Sequence, residues 1–110
     1  MSELPPSILP VTASGPDSPE PVVLLHGFGG DASGFAELQG EVSMSRRTLA
    51  FDLPGHGRAL GWPRIGGAGV AARAVLGSLE AMGLARVHLV GHSMGGAAAA
   101  LAALKAPERV

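Results

Sequence analysis

The sequence contains no cysteine, so neither a disulfide framework nor thiol chemistry contributes to its fold or its function. Charged residues make up 15% of the chain, which is low beside the roughly 25% of an average soluble domain. The formal net charge of −1 gives no reason to expect nucleic acid or an anionic membrane surface as a partner. With 46% hydrophobic residues among 110, the composition favours one domain or part of one, built from elements that are buried on both faces.

No targeting or anchoring segment is predicted from the sequence. Residues 1–3 supply no basic n-region and no apolar stretch follows them, so no signal peptide is predicted and a cytoplasmic location is expected. Residues 87–104 are 18 residues without a formal charge, the length of a membrane-span candidate. That stretch contains two histidines, a serine and several glycines, and its strand-like front half differs from its alanine-rich back half. No membrane span is therefore predicted.

Residues 1–20 are predicted to be a proline-rich lead-in, with five prolines among serine, glycine and aspartate. Only residues 8–11 have the composition of a short strand, and Pro10 restricts such a strand to the edge of a sheet. From residue 21 onward, apolar runs alternate with glycine-rich turns. A single domain is expected over residues 21–110.

The apolar run at residues 21–25 is typical of a strand buried on both faces, and it leads into HGFGGD at residues 26–31. Three glycines in four positions allow the backbone to turn its N–H groups inward, around a site for an anionic oxygen. The N–H of Phe28 would then be one donor of an oxyanion hole; a plain strand-to-helix turn and a phosphate loop are the alternatives. The spacing matches neither G-x-G-x-x-G nor the P-loop, so nucleotide binding is not expected and no cofactor is predicted.

A second loop of this kind follows the strand predicted at residues 48–51, with the sequence DLPGHG at residues 52–57. Asp52 and His56 have the side chains of a catalytic pair. Both lie in one tight turn, however, and a local hydrogen-bonded turn is the simpler interpretation.

Helical spacing of apolar side chains predicts a helix over residues 70–82, after which residues 86–90 return to the sheet. A last helix is predicted up to Lys105, before Pro107. This order predicts an α/β fold with a predominantly parallel sheet and flanking helices. The remaining expectations are a short helix from Asp31 or Ser33 through Leu38, and loops at residues 40–47 and 58–69.

The stretch around Ser93 has the strongest functional signal. Residues 87–90 are typical of a strand, GHSMG follows at residues 91–95, and the alanine-rich residues after it are typical of a helix. A serine between two glycines at such a turn is the G-x-S-x-G nucleophile elbow, which lifts the hydroxyl toward a substrate. The pentapeptide alone also occurs by chance in glycine-rich sequence, so the interpretation depends on the strand before it and the helix after it.

Taken in order, HGFGG at residues 26–30, DLPGHG at residues 52–57 and GHSMGG at residues 91–96 resemble the α/β-hydrolase family. The resemblance implies a partial α/β-hydrolase fold that lacks the C-terminal strands. It also implies a serine hydrolase of the esterase type acting on a small-molecule acyl substrate. Ser93 would be the nucleophile, and the backbone N–H groups of Phe28 and Met94 would form the oxyanion hole.

The family's chain order is Ser, then Asp or Glu, then His, but no histidine follows Ser93. His88 is expected in the core or on a sheet face, and His92 is expected to diverge from Ser93 at the turn. A serine without its base is a weak nucleophile. The 110 residues are therefore expected to be the N-terminal half of a hydrolase, inactive alone.

An alternative of a different class is a non-catalytic binding or assembly module. The strand at residues 87–90 would present an unpaired apolar edge, so the chain could complete its sheet with a partner or self-associate with a second copy. A further alternative is that His56 or His92 acts as the base in place of a later histidine.

Overall fold

The computed structural model describes residues 8–63 and 67–110. Within these residues the chain forms four strands, three α-helices and two short 3-10 helices. The strands are β1 (Val11–Ser14), β2 (Val22–Leu25), β3 (Thr48–Phe51) and β4 (His88–Gly91). The α-helices are α1 (Ala36–Val42), α2 (Ala68–Ala81) and α3 (Met94–Lys105), and the 3-10 helices are Ala32–Phe35 and Gly57–Ala59.

The strands form one sheet in the order β1-β3-β2-β4. β1 is antiparallel to β3, whereas β2 is parallel to both β3 and β4. The predicted α/β fold with a predominantly parallel sheet is thereby confirmed. Leu25 at the end of β2 pairs with Phe51 on one side and Gly91 on the other, so the loops after the three parallel strands begin side by side.

Both faces of the sheet are covered, because successive strand residues point to opposite sides. One face packs against α2 and α3, and the other packs against the 3-10 helix before α1. The continuous apolar runs of β2 and β3 are therefore buried on both sides. Members of the larger cluster include Val23, Leu25, Phe51, Val75 and Ala98, and the smaller cluster joins Leu24, Ala32 and Ala50.

Part of the proline-rich lead-in joins this sheet. The strand predicted at residues 8–11 lies instead at Val11–Ser14, since Pro10 has no N–H to donate to a neighbouring strand. As expected for that region, β1 is an edge strand. Leu9 is buried, and its N–H donates to Ser78 Oγ of α2 at 2.9 Å. Residues 9–14 thus contribute to both the core and the sheet.

α1 is longer than the sequence pattern predicts. The predicted helix ends near Leu38, whereas α1 continues to Val42. Asp31 caps the preceding 3-10 helix, as predicted. The buried side chain of Gln39 donates to Thr12 O of β1 at 2.8 Å, which anchors this part of α1 on the sheet. That contact joins distant parts of the chain, so local sequence does not reveal it.

α2 and α3 lie close to their predicted positions. α2 spans Ala68–Ala81, against a predicted helix over residues 70–82, and α3 ends at Lys105. Of the loop predicted over residues 58–69, residues 64–66 lie outside the described residues. In the part of the chain that the structure describes, no helix is both long and apolar enough to cross a membrane.

β4 lies at an edge of the sheet. Among residues 8–63 and 67–110 it pairs with β2 alone. Val90 of β4 is 40% exposed, whereas Leu24 and Leu25 of β2 are fully buried. One side of β4 is therefore open within the described structure.

Candidate active site

Ser93 occupies the turn between β4 and α3. Its φ is 56° and its ψ is −117°, and it is the only non-glycine residue with positive φ in the described part of the chain. Such a backbone costs on the order of 1–3 kcal/mol and persists only where surrounding contacts enforce it. Here His92 N–H donates to Leu25 O at 3.0 Å and Gly95 N–H donates to His92 O at 2.9 Å. These hydrogen bonds fix the backbone before and after Ser93.

Two glycines permit the close approach of backbone segments at this turn. A Cβ on Gly91 would overlap with the carbonyl group of Gly95. A Cβ on Gly95 would overlap with the carbonyl oxygen of Leu25, at the end of β2. Neither neighbour is a side chain that could move aside. The turn therefore packs against β2 as closely as the backbone permits, which determines where Ser93 projects.

α3 begins at Met94, directly after Ser93. The N–H of Met94 has no backbone acceptor among residues 8–63 and 67–110, as is usual for the first turn of a helix. Behind it lies a helix of 12 residues with Lys105 in its last turn. The positive end of the helix dipole therefore faces the turn, where it favours an anionic group.

The glycine-rich loop after β2 lies against this turn. A Cβ built on Gly27 would be 3.0 Å from His92 Nδ1 and 3.2 Å from Ser93 Cβ. Within the loop, Gly30 N–H donates to Gly27 O at 3.0 Å, which closes a turn around Phe28. Phe28 and Ser93 are therefore carried by neighbouring backbone segments.

Phe28 and Met94 meet at a small crevice. The side chain of Phe28 is 71% exposed, and its ring stands edge-on to the His56 ring with centroids 5.5 Å apart. Of the three residues predicted from the sequence, Phe28 and Met94 thus line one crevice, and Ser93 directly precedes Met94 at the start of α3. The crevice measures about 50 Å³ and is lined by Phe28, Pro54, His56, Gly67, Ala71 and Met94.

A larger cavity of about 460 Å³ is lined by the glycine-rich loop, the 3-10 helix that follows it and His92. Its walls also include Asp31 and Phe35. This region has the size of a site for a small organic molecule. Among the residues that the structure describes, no group of three potential metal ligands occurs.

Asp52 connects two segments of the chain through hydrogen bonds from Ala32 and Arg58. Its buried carboxylate accepts hydrogen bonds from Ala32 N–H at 2.8 Å, Arg58 N–H at 3.1 Å and Arg58 Nε–H at 2.8 Å. Burial has the largest single effect on its pKa and raises it, but the hydrogen bonds from Ala32 and Arg58 together outweigh burial. The pKa of Asp52 is therefore held below its ordinary value. This arrangement agrees with the local-turn interpretation and not with a catalytic pair.

Two of the four histidines are accessible. His88 lies on β4 with a half-exposed side chain, and its Nε2 is 3.2 Å from Glu20 Oε1. It is on the face of the sheet, as predicted, but outside the core. His92 precedes Ser93 and lines the larger cavity.

The other two histidines are buried and bind backbone groups. Leu53 N–H donates to His26 Nε2 at 2.9 Å, and Gly29 N–H donates to His56 Nε2 at 3.0 Å. Sequence reasoning missed these contacts. The available signal was that each histidine lies in the loop directly after a parallel strand.

A mostly parallel sheet covered on both faces, with a strained serine at the turn from a strand into a helix, defines a class of α/β proteins. In that class the turn presents a polar side chain at the carboxyl ends of the strands. Residues 20–110 match the model of the family described as alpha/beta hydrolase fold, and the chain belongs to that family. The resemblance inferred from the three glycine-rich motifs is thereby confirmed.

The chain is similar to proteins with several named activities. It is 40% identical over 96 residues to the dihydrolipoyllysine-residue acetyltransferase component of the acetoin cleaving system of Pseudomonas putida, which covers 87% of this chain and 26% of that protein. A 2-hydroxy-6-oxononadienedioate/2-hydroxy-6-oxononatrienedioate hydrolase of Burkholderia vietnamiensis is 40% identical over 96 residues, covering 83% of this chain and 33% of that protein. The solved structure of a marine microorganism esterase superposes with a TM-score of 0.84 and 26% identity, over 94% of this chain and 39% of that one. The chain thus spans between a quarter and two fifths of the length of these proteins.

Proposed function

We propose that this chain provides the nucleophile and the oxyanion donors of a serine hydrolase of the esterase type. The observation that carries the proposal is the positive φ of Ser93 at the start of α3, because this backbone lifts the hydroxyl out of the turn toward a substrate. Ser93 Oγ would attack the carbonyl carbon of an ester or other acyl substrate, and the leaving group would depart from the tetrahedral intermediate. Water would then release the acyl group from Ser93.

The backbone N–H groups of Phe28 and Met94 are the proposed donors to the oxyanion. Met94 N–H lies in the first turn of α3, where N–H groups lack a helical acceptor. Phe28 follows Gly27, whose added Cβ would lie 3.2 Å from Ser93 Cβ, and Phe28 and Met94 both line one crevice. Removing one such donor lowers kcat by roughly 10²–10³ in a well-studied serine protease.

The proton acceptor for Ser93 is expected from a part of the complete gene product outside these 110 residues. His26 and His56 already bind backbone N–H groups through Nε2, and His88 is paired with Glu20. In this fold the acid and the histidine follow the nucleophile along the chain. Without that histidine, the 110 residues alone are expected to lose on the order of 10⁶ in kcat.

A small acyl compound is the proposed class of substrate, with no cofactor. Relatives named as an acetyltransferase component, a hydrolase and an esterase are all compatible with attack on a carbonyl carbon. The crevice beside Phe28 and Met94, at about 50 Å³, suits a short acyl group. Hydrolysis of short-chain esters is therefore the reaction to assay first.

A fluorophosphonate probe tests the proposal on the complete gene product. We expect the probe to attach covalently to Ser93, as located by peptide mass spectrometry, and Ser93→Ala to remain unlabelled. Ser45→Ala is the matched control, because Ser45 is an exposed serine in the turn after α1 and its loss should leave labelling unchanged. A folded protein that takes up no probe, or takes it up at another serine, would reject the proposal.

The open side of β4 supports a second candidate function, assembly without catalysis. In the described part of the chain β4 pairs with β2 alone, and Val90 is 40% exposed. A partner, or a second copy, could add a strand at this edge.

Size-exclusion chromatography of the 110-residue chain tests assembly, since a folded oligomer supports it and a folded monomer excludes it. Both candidates predict no turnover of p-nitrophenyl acetate by this chain, so turnover by the complete gene product tests catalysis. If the 110-residue chain does hydrolyse p-nitrophenyl acetate, the variants His56→Ala and His92→Ala show whether either histidine acts as the base for Ser93.

A further inference from the structure

Two buried histidines connect the loops after β2 and β3 in opposite directions. His26, in the loop after β2, accepts a hydrogen bond at Nε2 from Leu53 N–H of the other loop at 2.9 Å. His56, in the loop after β3, accepts at Nε2 from Gly29 N–H of the first loop at 3.0 Å. The ring centroids lie 5.0 Å apart, and the residues are only 3% and 7% exposed. We refer to His26 and His56 as the crossed histidines.

The hydrogen-bond partners determine the protonation of both rings. A backbone N–H can only donate, so Nε2 of each crossed histidine carries no proton. The proton therefore resides on Nδ1, which faces Gly27 O at 2.7 Å in His26 and Pro54 O at 3.1 Å in His56. Both rings are neutral, and both nitrogens of each ring have a partner.

These hydrogen bonds hold the two peptide groups that flank Phe28. The carbonyl of Gly27 and the N–H of Phe28 belong to one trans peptide group, so the N–H points opposite to the carbonyl. By donating to Gly27 O, His26 Nδ1–H sets the direction of the Phe28 N–H. The next peptide group contains the Gly29 N–H, which donates a hydrogen bond to His56 Nε2.

Close packing restrains this loop at Gly27 but not at Gly29. Gly29 has φ of 84°, and a Cβ added there would meet no atom within 4 Å. The side chain of Phe28 is 71% exposed. Since glycine also allows wide backbone freedom, the hydrogen bonds of the neighbouring groups contribute to the direction of the Phe28 N–H. The crossed histidines supply two of these, and Gly30 N–H to Gly27 O supplies a third.

We propose that the crossed histidines are positioning residues that aim the Phe28 N–H at the oxyanion formed when Ser93 attacks an acyl substrate. This role rests on the proposed function, since it presupposes that the Phe28 N–H is a donor. In this role both rings act through the loop, and His56 also lines the crevice proposed for the acyl group. His26 Nδ1–H also polarises the peptide group that it binds, which strengthens the Phe28 N–H as a donor.

Nuclear magnetic resonance of the ¹⁵N-labelled complete gene product tests the hydrogen bonds themselves. We expect a scalar coupling through the hydrogen bond between His26 Nε2 and the Leu53 amide nitrogen, and another between His56 Nε2 and the Gly29 amide nitrogen. Both rings should show the Nδ1–H tautomer. An Nε2–H tautomer at either histidine would overturn the proposal, because that nitrogen could not then accept from the backbone.

The rate of fluorophosphonate labelling at Ser93 tests the positioning role. His56→Ala removes the acceptor for Gly29 N–H, whereas His56→Gln retains an amide oxygen that can accept this bond. We expect labelling to slow at least about 10-fold in His56→Ala, toward the roughly 10²–10³ of a lost oxyanion donor, and to recover in part in His56→Gln. His88→Ala is the matched control, since His88 is an accessible histidine on β4, and it should label at the unsubstituted rate.

The outcomes distinguish this inference from the proposed function. If Ser93 of the unsubstituted protein takes up no probe, the proposed function fails and the positioning role fails with it. If Ser93 is labelled and a folded His56→Ala protein reacts at the unsubstituted rate, the positioning role alone fails. In ester hydrolysis, positioning predicts a lower kcat with little change in KM, whereas a merely structural role would change only the melting temperature. Should His56→Ala not fold, the couplings and tautomers of the unsubstituted protein decide.

Discussion

At the scale of single residues, the turn at Ser93 depends on contacts that only glycine permits. Gly91 and Gly95 lie too close to neighbouring backbone for either to carry a side chain. The positive φ of Ser93 is maintained because β4 and α3 are both packed against β2, so the unfavourable local conformation is offset elsewhere in the fold. The exposed position of the serine is thus a property of its surroundings.

Gly95→Ala is expected to lower the free energy of unfolding by more than about 3 kcal/mol, because the added Cβ would overlap with the carbonyl oxygen of Leu25. Gly77→Ala is the matched control, at an exposed position of α2 where a Cβ meets no atom within 4 Å. It should stabilise the protein by about 1 kcal/mol, since alanine is the better helix former. Urea unfolding measures both changes. A Gly95→Ala protein as stable as the unsubstituted one would show that the turn is not closely packed.

The carboxylate of Asp52 is expected to make stability depend on pH. Hydrogen bonds from Ala32 and Arg58 hold its pKa below the ordinary value despite burial. The resulting stabilisation is present above the ordinary aspartate pKa of about 3.9 and is lost as the pH falls through the lower folded-state pKa. The free energy of unfolding should therefore decline on acidification more steeply in the unsubstituted protein than in Asp52→Asn. Parallel profiles for the two proteins, measured by urea unfolding across acid pH, would contradict this assignment.

At the scale of secondary-structure elements, parallel pairing explains where the candidate site lies. β2, β3 and β4 run in the same direction, so their following loops meet at one edge of the sheet. β2 is in the middle, and its loop carries Phe28 between the loop of His56 and the turn of Ser93. Residues far apart in sequence are therefore neighbours at the site.

Ser78 of α2 connects the first described residues to the helical layer. Its hydroxyl accepts from the buried Leu9 N–H at 2.9 Å and donates to Ala74 O at 2.8 Å. Ser78→Ala should lower the free energy of unfolding by about 1–3 kcal/mol, because Leu9 N–H loses its acceptor. The exposed Ser45→Ala should change it by less than about 0.5 kcal/mol. Amide hydrogen exchange at Leu9 should also accelerate in Ser78→Ala, and unchanged exchange together with unchanged stability would refute the connection.

At the scale of the whole molecule, the order of the elements could be predicted because buried parallel strands are continuous apolar runs bounded by glycine-rich turns. The positions of β1 and the end of α1 could not. The first depends on Pro10 and on the contact between Leu9 and Ser78, and the second depends on Gln39 binding to β1. Such contacts join distant residues and leave no mark in the local sequence.

The candidate site also has one part that could be predicted from the sequence and one part that could not. Phe28, Ser93 and Met94 could be predicted because the glycines around them mark sharp turns after strands. The crossed histidines could not, since each binds a residue of the other loop. A histidine after a strand has many interpretations until its partner is known.

The chain spans between a quarter and two fifths of the length of the related proteins compared above. The proposed activity is accordingly a proposal about the complete gene product, with the base and the acid supplied from outside these residues. The open side of β4 is where a further strand would extend the sheet.

A crystal structure of the complete gene product after reaction with a fluorophosphonate tests the central claim most directly, because the phosphonyl oxygen takes the place of the oxyanion. We predict phosphorus bound to Ser93 Oγ, with that oxygen about 2.7–3.1 Å from the backbone nitrogens of both Phe28 and Met94. A phosphonyl oxygen that points away from either amide, or phosphorus bound to another residue, would contradict it.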